Sequence, residues 1–295
     1  MPSSKNFIGL CDSCSHKCVM GRTLVRHSTF NLPSMRRLCQ VLGEYDALVE
    51  YIELTTRKFK TSFEMQHELS FSDFLSSEAK KVNICLNNLT LDNYECFKYR
   101  YYLILPSSSF DRFLDDFRDD FHTLFDKEIT LLRHKTKLQS ILDYLNGNSF
   151  TVQLESFSHS LFDYYRLVRN SLAHDSHKNE AAIITAYNSV NITEVHTRYT
   201  KLSAPHDMNN LTFDDFILCT ANIKSIADKL TLSLESRINW GNFSERYSDL
   251  FPRLKRFSGN KPRQTSYINN IISGIYGIRL SDACADDILH SLSIE

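Results

Sequence analysis

The stretch SSFDRFLDDFRDDFHTLF, from Ser108 to Phe125, sets the fold class. Phe110, Phe113, Leu114, Phe117, Phe121, Leu124 and Phe125 recur every three or four residues, which lines one side of an α-helix. Asp111, Asp115, Asp116, Asp119 and Asp120 fall between them and make the rest of the surface acidic. Ser108 followed by Asp111 has the form of a capping box with Asp in place of Glu, so the helix is expected to begin there. It is expected to run to Leu145, where Asn146-Gly147-Asn148 supplies a stop.

Other stretches carry the same period. Ser34–Lys58 places Leu38, Val41, Leu42, Tyr45, Leu48, Val49 and Ile52 on one side, and Phe71–Leu89 shows a looser version. Leu154–Ala173 and Phe213–Asn239 read as two further helices. The second of these opens with Thr212 and Asp215 and buries Phe213, Phe216, Ile217, Ile226, Leu230 and Leu234. Ala181–Val190 suits a short helix. Asn191–Asn210 reads as a polar connection, and alternation in Ile192–Leu202 would allow a small hairpin. The chain has 295 residues with 8 Gly and 6 Pro. An all-β protein would need a turn signal about every 8–12 residues, so the reading is predominantly all-α.

Beyond Gly241 the texture changes, with Pro252, Gly259-Asn260 and Pro262 in a basic context. Three parts follow: a basic, Cys-rich segment at 1–33, a helical bundle at 34–241, and a basic C-terminal extension at 242–295. The last should carry one or two short helices from Ser266 onward that pack back on the body.

Net charge is −1, so no global field demands nucleic acid or membrane. The distribution is uneven. Lys5, Lys17, Arg22, Arg26, Arg36 and Arg37 face one acid, Asp12, near the N-terminus. Arg253, Lys255, Arg256, Lys261, Arg263 and Arg279 occupy a stretch without acids. Such runs suit either solvated faces or a phosphate-backbone ligand. Met1–Leu10 lacks the apolar core of a secretory signal, and no run reaches the roughly 18 apolar residues of a membrane span. Eight Cys without a leader imply reduced thiols and a cytoplasmic setting. Cys11, Cys14 and Cys18 include a Cys-x-x-Cys pair that can place two thiolates on one tetrahedral zinc. A second pair at the usual spacing is missing, so structural zinc and unliganded thiols both remain open. No Walker loop, G-x-G-x-x-G, H-E-x-x-H or nucleophile elbow is present.

The chemistry concentrates on Leu154–Ala173. Its apolar face is Phe157, Leu161, Tyr165, Val168 and Leu172. A second face carries His159, Asp163, Arg166, Asn170 and His174 at spacings of three and four, with Arg169 at the border. Cleaving RNA without a metal needs a base for the ribose 2′-OH and an acid for the departing 5′-oxygen. Histidine, with an ordinary pKa of about 6.5, does either near neutrality. Arginine offers a permanent bidentate donor to the charge that builds on phosphorus-bound oxygen. Asn170, four residues before His174, is placed to orient the imidazole. Asp163 and Arg166 suit an i,i+3 ion pair, and Arg166 is also a candidate RNA contact, as are Arg253, Lys255 and Arg256.

Arg169-Asn170-Ser171-Leu172-Ala173-His174 resembles the signature of the HEPN superfamily: Arg, a polar residue, three variable residues, then His. The resemblance covers Leu154–Asn239, since Phe213–Asn239 fits the amphipathic helix that follows the motif. It implies a HEPN-type helical bundle with Arg169 as phosphate stabiliser, His174 as catalytic histidine and Asn170 as modulating residue. It further implies a metal-independent endoribonuclease that needs no cofactor for catalysis and leaves 2′,3′-cyclic phosphate ends, as a toxin or anti-phage effector. One chain supplies one such set, whereas the reaction uses two proton-transfer groups, so a homodimer with a composite active site is expected. Nothing in the chain reads as a sensor, which leaves activation to a regulatory protein partner. The rival reading is a non-catalytic helical interaction module, an antitoxin or assembly subunit.

Overall fold

In the computed structural model the Ser108–Phe125 stripe is helical, but its helix starts earlier and stops sooner than the pattern suggests. The structure describes residues 29–65, 69–85, 91–173 and 180–294, with the backbone alone for 91–93, 96, 172 and 173. Among these residues every regular element is a helix and no strand is present. The chain is all-α.

The helices are α1 (Pro33–Glu64), α2 (Phe71–Lys81), α3 (Leu91–Tyr102), α4 (Ile104–Phe125), α5 (Lys137–Gly147), α6 (Ser158–Ala173), α7 (Glu180–Asn188), α8 (Ile192–Arg198), α9 (Phe213–Glu235), α10 (Trp240–Arg246), α11 (Lys261–Tyr276) and α12 (Asp282–Ser291). They form two compact units. The first takes its described residues from 1–39, 111–153 and 224–295, the second from 40–110 and 154–223. The division falls within α1, α4 and α9. Gly241, where the change of texture suggests a boundary, lies in α10 inside the first unit.

Ser108 does not open α4. The helix begins at Ile104, and Ser107, Ser108 and Ser109 each donate Oγ to the carbonyl four residues back, at 2.8, 2.9 and 3.0 Å. A serine that back-bonds in this way satisfies its hydroxyl inside a helix rather than at a cap. Nor does the helix reach Leu145. Asp126 takes φ 54°, a left-handed conformation that Asp tolerates better than most residues, and it ends α4 without Gly or Pro. The chain re-enters helix at Thr136, whose side chain accepts from the Gln139 N–H. The expected stop at Asn146-Gly147-Asn148 is where α5 ends.

In the first unit, Phe113, Phe117 and Phe121 are buried with Leu138, Ile141 and Leu145 of α5. Phe121 meets Phe125, Tyr144 and Phe150 at ring-centre distances of 4.8, 5.7 and 5.5 Å. Each fully buried Phe contributes about 1.5–3 kcal/mol, so this knot outweighs any single polar contact nearby. The C-terminal helices belong to the same unit. Trp240 and Phe243 pack on Tyr276, so the extension carries short helices, the first starting at Lys261, ahead of the expected Ser266. Gly259-Asn260 and Pro262 start a helix rather than break one: Asn260 caps α11 by accepting from the Arg263 N–H, with proline in the first turn.

The second unit buries the expected face of α6, namely Phe157, Leu161, Tyr165 and Val168, and adds Phe162 and Tyr164. Val49, Tyr102 and Phe216 form a smaller cluster with Ile52, Tyr99, Phe213 and Ile217 around it. Three expectations change here. Leu48 is 49% exposed and lies off the α1 stripe. The hairpin expected in Ile192–Leu202 is instead the helix α8, capped by Asn191 accepting from the Glu194 N–H. Phe71–Leu89 ends as helix at Lys81.

Candidate functional site

Two side chains of α9 and one backbone carbonyl of the preceding loop, that of His206, hold α6 in place. Asn222 Nδ2 donates to the Ser158 carbonyl at 2.9 Å, and Tyr165 Oη donates to Asp215 Oδ1 at 3.0 Å. Seven residues separate each pair along its helix, in opposite directions, so the two helices run antiparallel. The start of α9 therefore lies beside the C-terminal half of α6. Asp215 is 1% exposed and collects further donors. The His206 N–H reaches Oδ1 at 2.9 Å, His206 Nδ1 reaches Oδ2 at 2.8 Å, and the Thr212 N–H and hydroxyl reach Oδ2 at 2.8 and 3.2 Å. Several charge-assisted hydrogen bonds offset the cost of burying one carboxylate. Burial first, and then the charge of Asp215, push the Tyr165 phenol well above its usual range, so Tyr165 remains a neutral donor.

Near the end of this supported helix sits Arg169. Nη2 donates to Ser108 Oγ at 3.3 Å, and Nη1 donates to Asn170 Oδ1 at 3.0 Å. The guanidinium is thus steadied by α4 and by its own neighbour, on a half-buried side chain. A cation in this position also faces the negative end of the α6 dipole, a favourable contribution of about 0.3–1 kcal/mol. The Asn170 oxygen is engaged with Arg169. His174 lies outside the described residues.

Arg166 Nε meets Asp163 Oδ1 at 3.1 Å, the ion pair its spacing predicts, and His159 Nδ1 lies 3.5 Å from Asp163 Oδ2. All three side chains keep partial exposure, so these contacts are worth at most about 1 kcal/mol each. Arg253, Lys255 and Arg256 are exposed around the turn at Leu254–Phe257. They belong to the first unit, whereas Arg166, Arg169 and Asn170 belong to the second. Cys11, Cys14 and Cys18, the candidate zinc ligands, lie outside the described residues. Among the described residues no group of three or more His, Cys, Asp or Glu side chains is arranged to hold a metal ion, and no helix is long and apolar enough to cross a membrane.

The sequence reading missed two participants. Ser108, expected to open a helix, is one of two acceptors for Arg169. His206, expected in a polar connection, has its ring clamped to Asp215. The sequence signal for that clamp is Asp215 itself, which with Thr212 marks the opening of α9. No protein-family model, curated protein or solved structure matches this chain.

Proposed function

We propose that this chain is a metal-independent endoribonuclease of HEPN type, acting in the cytoplasm as a toxin or anti-phage effector. The observation that carries the reading is the fixed Arg169 guanidinium, held by Ser108 and Asn170 near the C-terminal end of α6. A pre-positioned guanidinium stabilises the charge on a phosphorane-like transition state without reorganising during the reaction. His174, five residues on, supplies proton transfer, and Asn170 tunes the pair. The 2′-oxygen attacks phosphorus, the 5′-oxygen leaves, and the product carries a 2′,3′-cyclic phosphate. A homodimer supplies two such sets, RNA is the substrate, and a regulatory protein partner sets the timing. A structural zinc on Cys11, Cys14 and Cys18 would take no part in this chemistry.

The test is cleavage of RNA by the purified chain in EDTA, with sequencing of 5′-hydroxyl ends. His174→Ala should lower the rate by about 100-fold or more, and Arg169→Ala by about 100- to 1,000-fold. A requirement for divalent metal, or survival of activity in both variants, overturns the reading. One observation favours the rival, a non-catalytic interaction module. Leu48, Tyr51 and Leu54 of α1 are exposed, a surface suited to a protein partner. That module would cut no RNA under any condition and would hold a stable complex with another protein.

A further inference from the structure

Building on the ribonuclease reading, we infer that His206 is a second proton-transfer residue of the same reaction, positioned by Asp215. The ring is held by one nitrogen alone. Nδ1 lies 2.8 Å from a carboxylate oxygen of Asp215, itself 1% exposed, while 28% of the His206 side chain is open to solvent. Among the described residues no other side chain or carbonyl bonds this ring. A buried carboxylate on Nδ1 fixes the tautomer and leaves Nε2 to exchange protons outward.

The loop around it is tied down from several helices. Tyr164 of α6 donates to the His206 carbonyl at 2.6 Å, and Tyr187 of α7 donates to the Pro205 carbonyl at 3.4 Å. Arg100 of α3 donates to the Met208 carbonyl at 3.3 Å and to Asn209 Oδ1 at 3.0 Å. Among the described residues, the charged and titratable groups around this loop include Asp215, Asp207, Arg100, Tyr164, Tyr165, Tyr187 and His196, whose Nε2 lies 3.0 Å from the Ala204 carbonyl oxygen. The bonds to Tyr164 and Tyr165 set this loop beside α6 about one turn before Arg169 on that helix. The nuclease reading asks for two proton carriers and takes the second from a partner copy's His174; on this inference His206 of the same chain replaces that second His174.

The step balances. The 2′-OH gives its proton to His174 as the 2′-oxygen bonds phosphorus. The phosphorus–5′-oxygen bond breaks, and the Nε2 proton of a His206 imidazolium passes to the leaving 5′-oxygen. Neutral His206 keeps its Nδ1 proton on Asp215, and water restores both histidines.

His206→Asn tests this, because the asparagine amide nitrogen overlays Nδ1 and preserves the bond to Asp215 while deleting Nε2. Circular dichroism and thermal melting should match wild type. Cleavage of an all-oxygen RNA should fall by about 100-fold or more. A substrate with bridging 5′-sulfur, whose leaving group needs no proton, should be cut at rates within a few-fold of wild type. Full activity of His206→Asn on the oxygen substrate overturns the inference and leaves the ribonuclease reading standing. An equal defect on both substrates also overturns it, since that marks a structural role. No cleavage by wild type overturns the reading and the inference together.

Discussion

Gly277 closes α11 with φ 76°, and a Cβ there would sit 2.9 Å from the Thr29 carbonyl oxygen. The same close approach lets the Asn31 N–H donate to the Tyr276 carbonyl at 2.9 Å. Gly259 has a similar φ of 74° but open space around it. Both positions charge a side chain the cost of a left-handed conformation, about 1–2 kcal/mol, and only Gly277 adds a backbone collision. Gly277→Ala should therefore lower the midpoint of chemical denaturation clearly more than Gly259→Ala. Equal losses would mean that the Thr29 segment yields without cost. At this scale the sequence was readable where chemistry is local. The Asp163–Arg166 pair follows from spacing along one helix. Ser108 as an acceptor for Arg169 does not, because the two are 61 residues apart and nothing local marks the contact.

Between elements, the α1–α3 contact contains an ion pair that hydropathy cannot register. Lys98 Nζ lies 3.0 Å from Glu53 Oε2, with both side chains 6% exposed, and 4.1 Å from the centre of the Tyr99 ring. Arg57 Nε and Tyr99 Oη also reach Glu53 Oε1, at 2.9 and 3.2 Å. Burial pushes the Glu53 carboxyl up, but hydrogen bonds from Lys98 and Arg57 outweigh it and hold the group below its ordinary 4.5. A depressed carboxyl contributes stability that is present above 4.5 and lost as pH falls through the lower folded value. Lys98→Met should cost about 3–5 kcal/mol by stranding a buried carboxylate, and adding Glu53→Leu should recover most of it. Losing Lys98 moves the carboxyl up from its wild-type position while Arg57 stays on Oε1, so the deficit should shrink as pH falls through the carboxylate range. Denaturation at two pH values checks both points, and a pH-independent deficit would show that Glu53 finds another partner. The same contact explains why α3 was not legible. Among its described side chains the inward ones are Lys98, Tyr99 and Tyr102 rather than aliphatics, so the apolar period is diluted there. The break between α4 and α5 was hidden for another reason, since Asp126 turns the chain without glycine or proline.

Over the whole molecule, each unit is assembled from stretches far apart in the chain. No composition shift announces that arrangement, and the change of texture at Gly241 marks surface chemistry rather than a structural joint. The all-α class was legible because periodicity repeats over many turns, whereas the Asp215 clamp depends on how the nine-residue stretch from His206 folds back, which has no period. The uneven charge still yields a prediction at this scale. Arg253, Lys255 and Arg256 are exposed in the first unit, and the nuclease reading assigns them to the RNA backbone. Each phosphate neutralised on a single strand contributes about 0.7 to the slope of log affinity against log salt. Replacing all three with Ala should therefore lower that slope by about 2. Binding should weaken to the same degree on RNAs of different sequence, because phosphate contacts carry no base information. The cleavage pattern at saturating RNA should stay unchanged, since Arg169 stands on α6. A salt titration of binding with inactive His174→Ala as background measures the slope without product formation. An unaltered slope would make the basic turn a solvated face and leave RNA capture to the surface around α6.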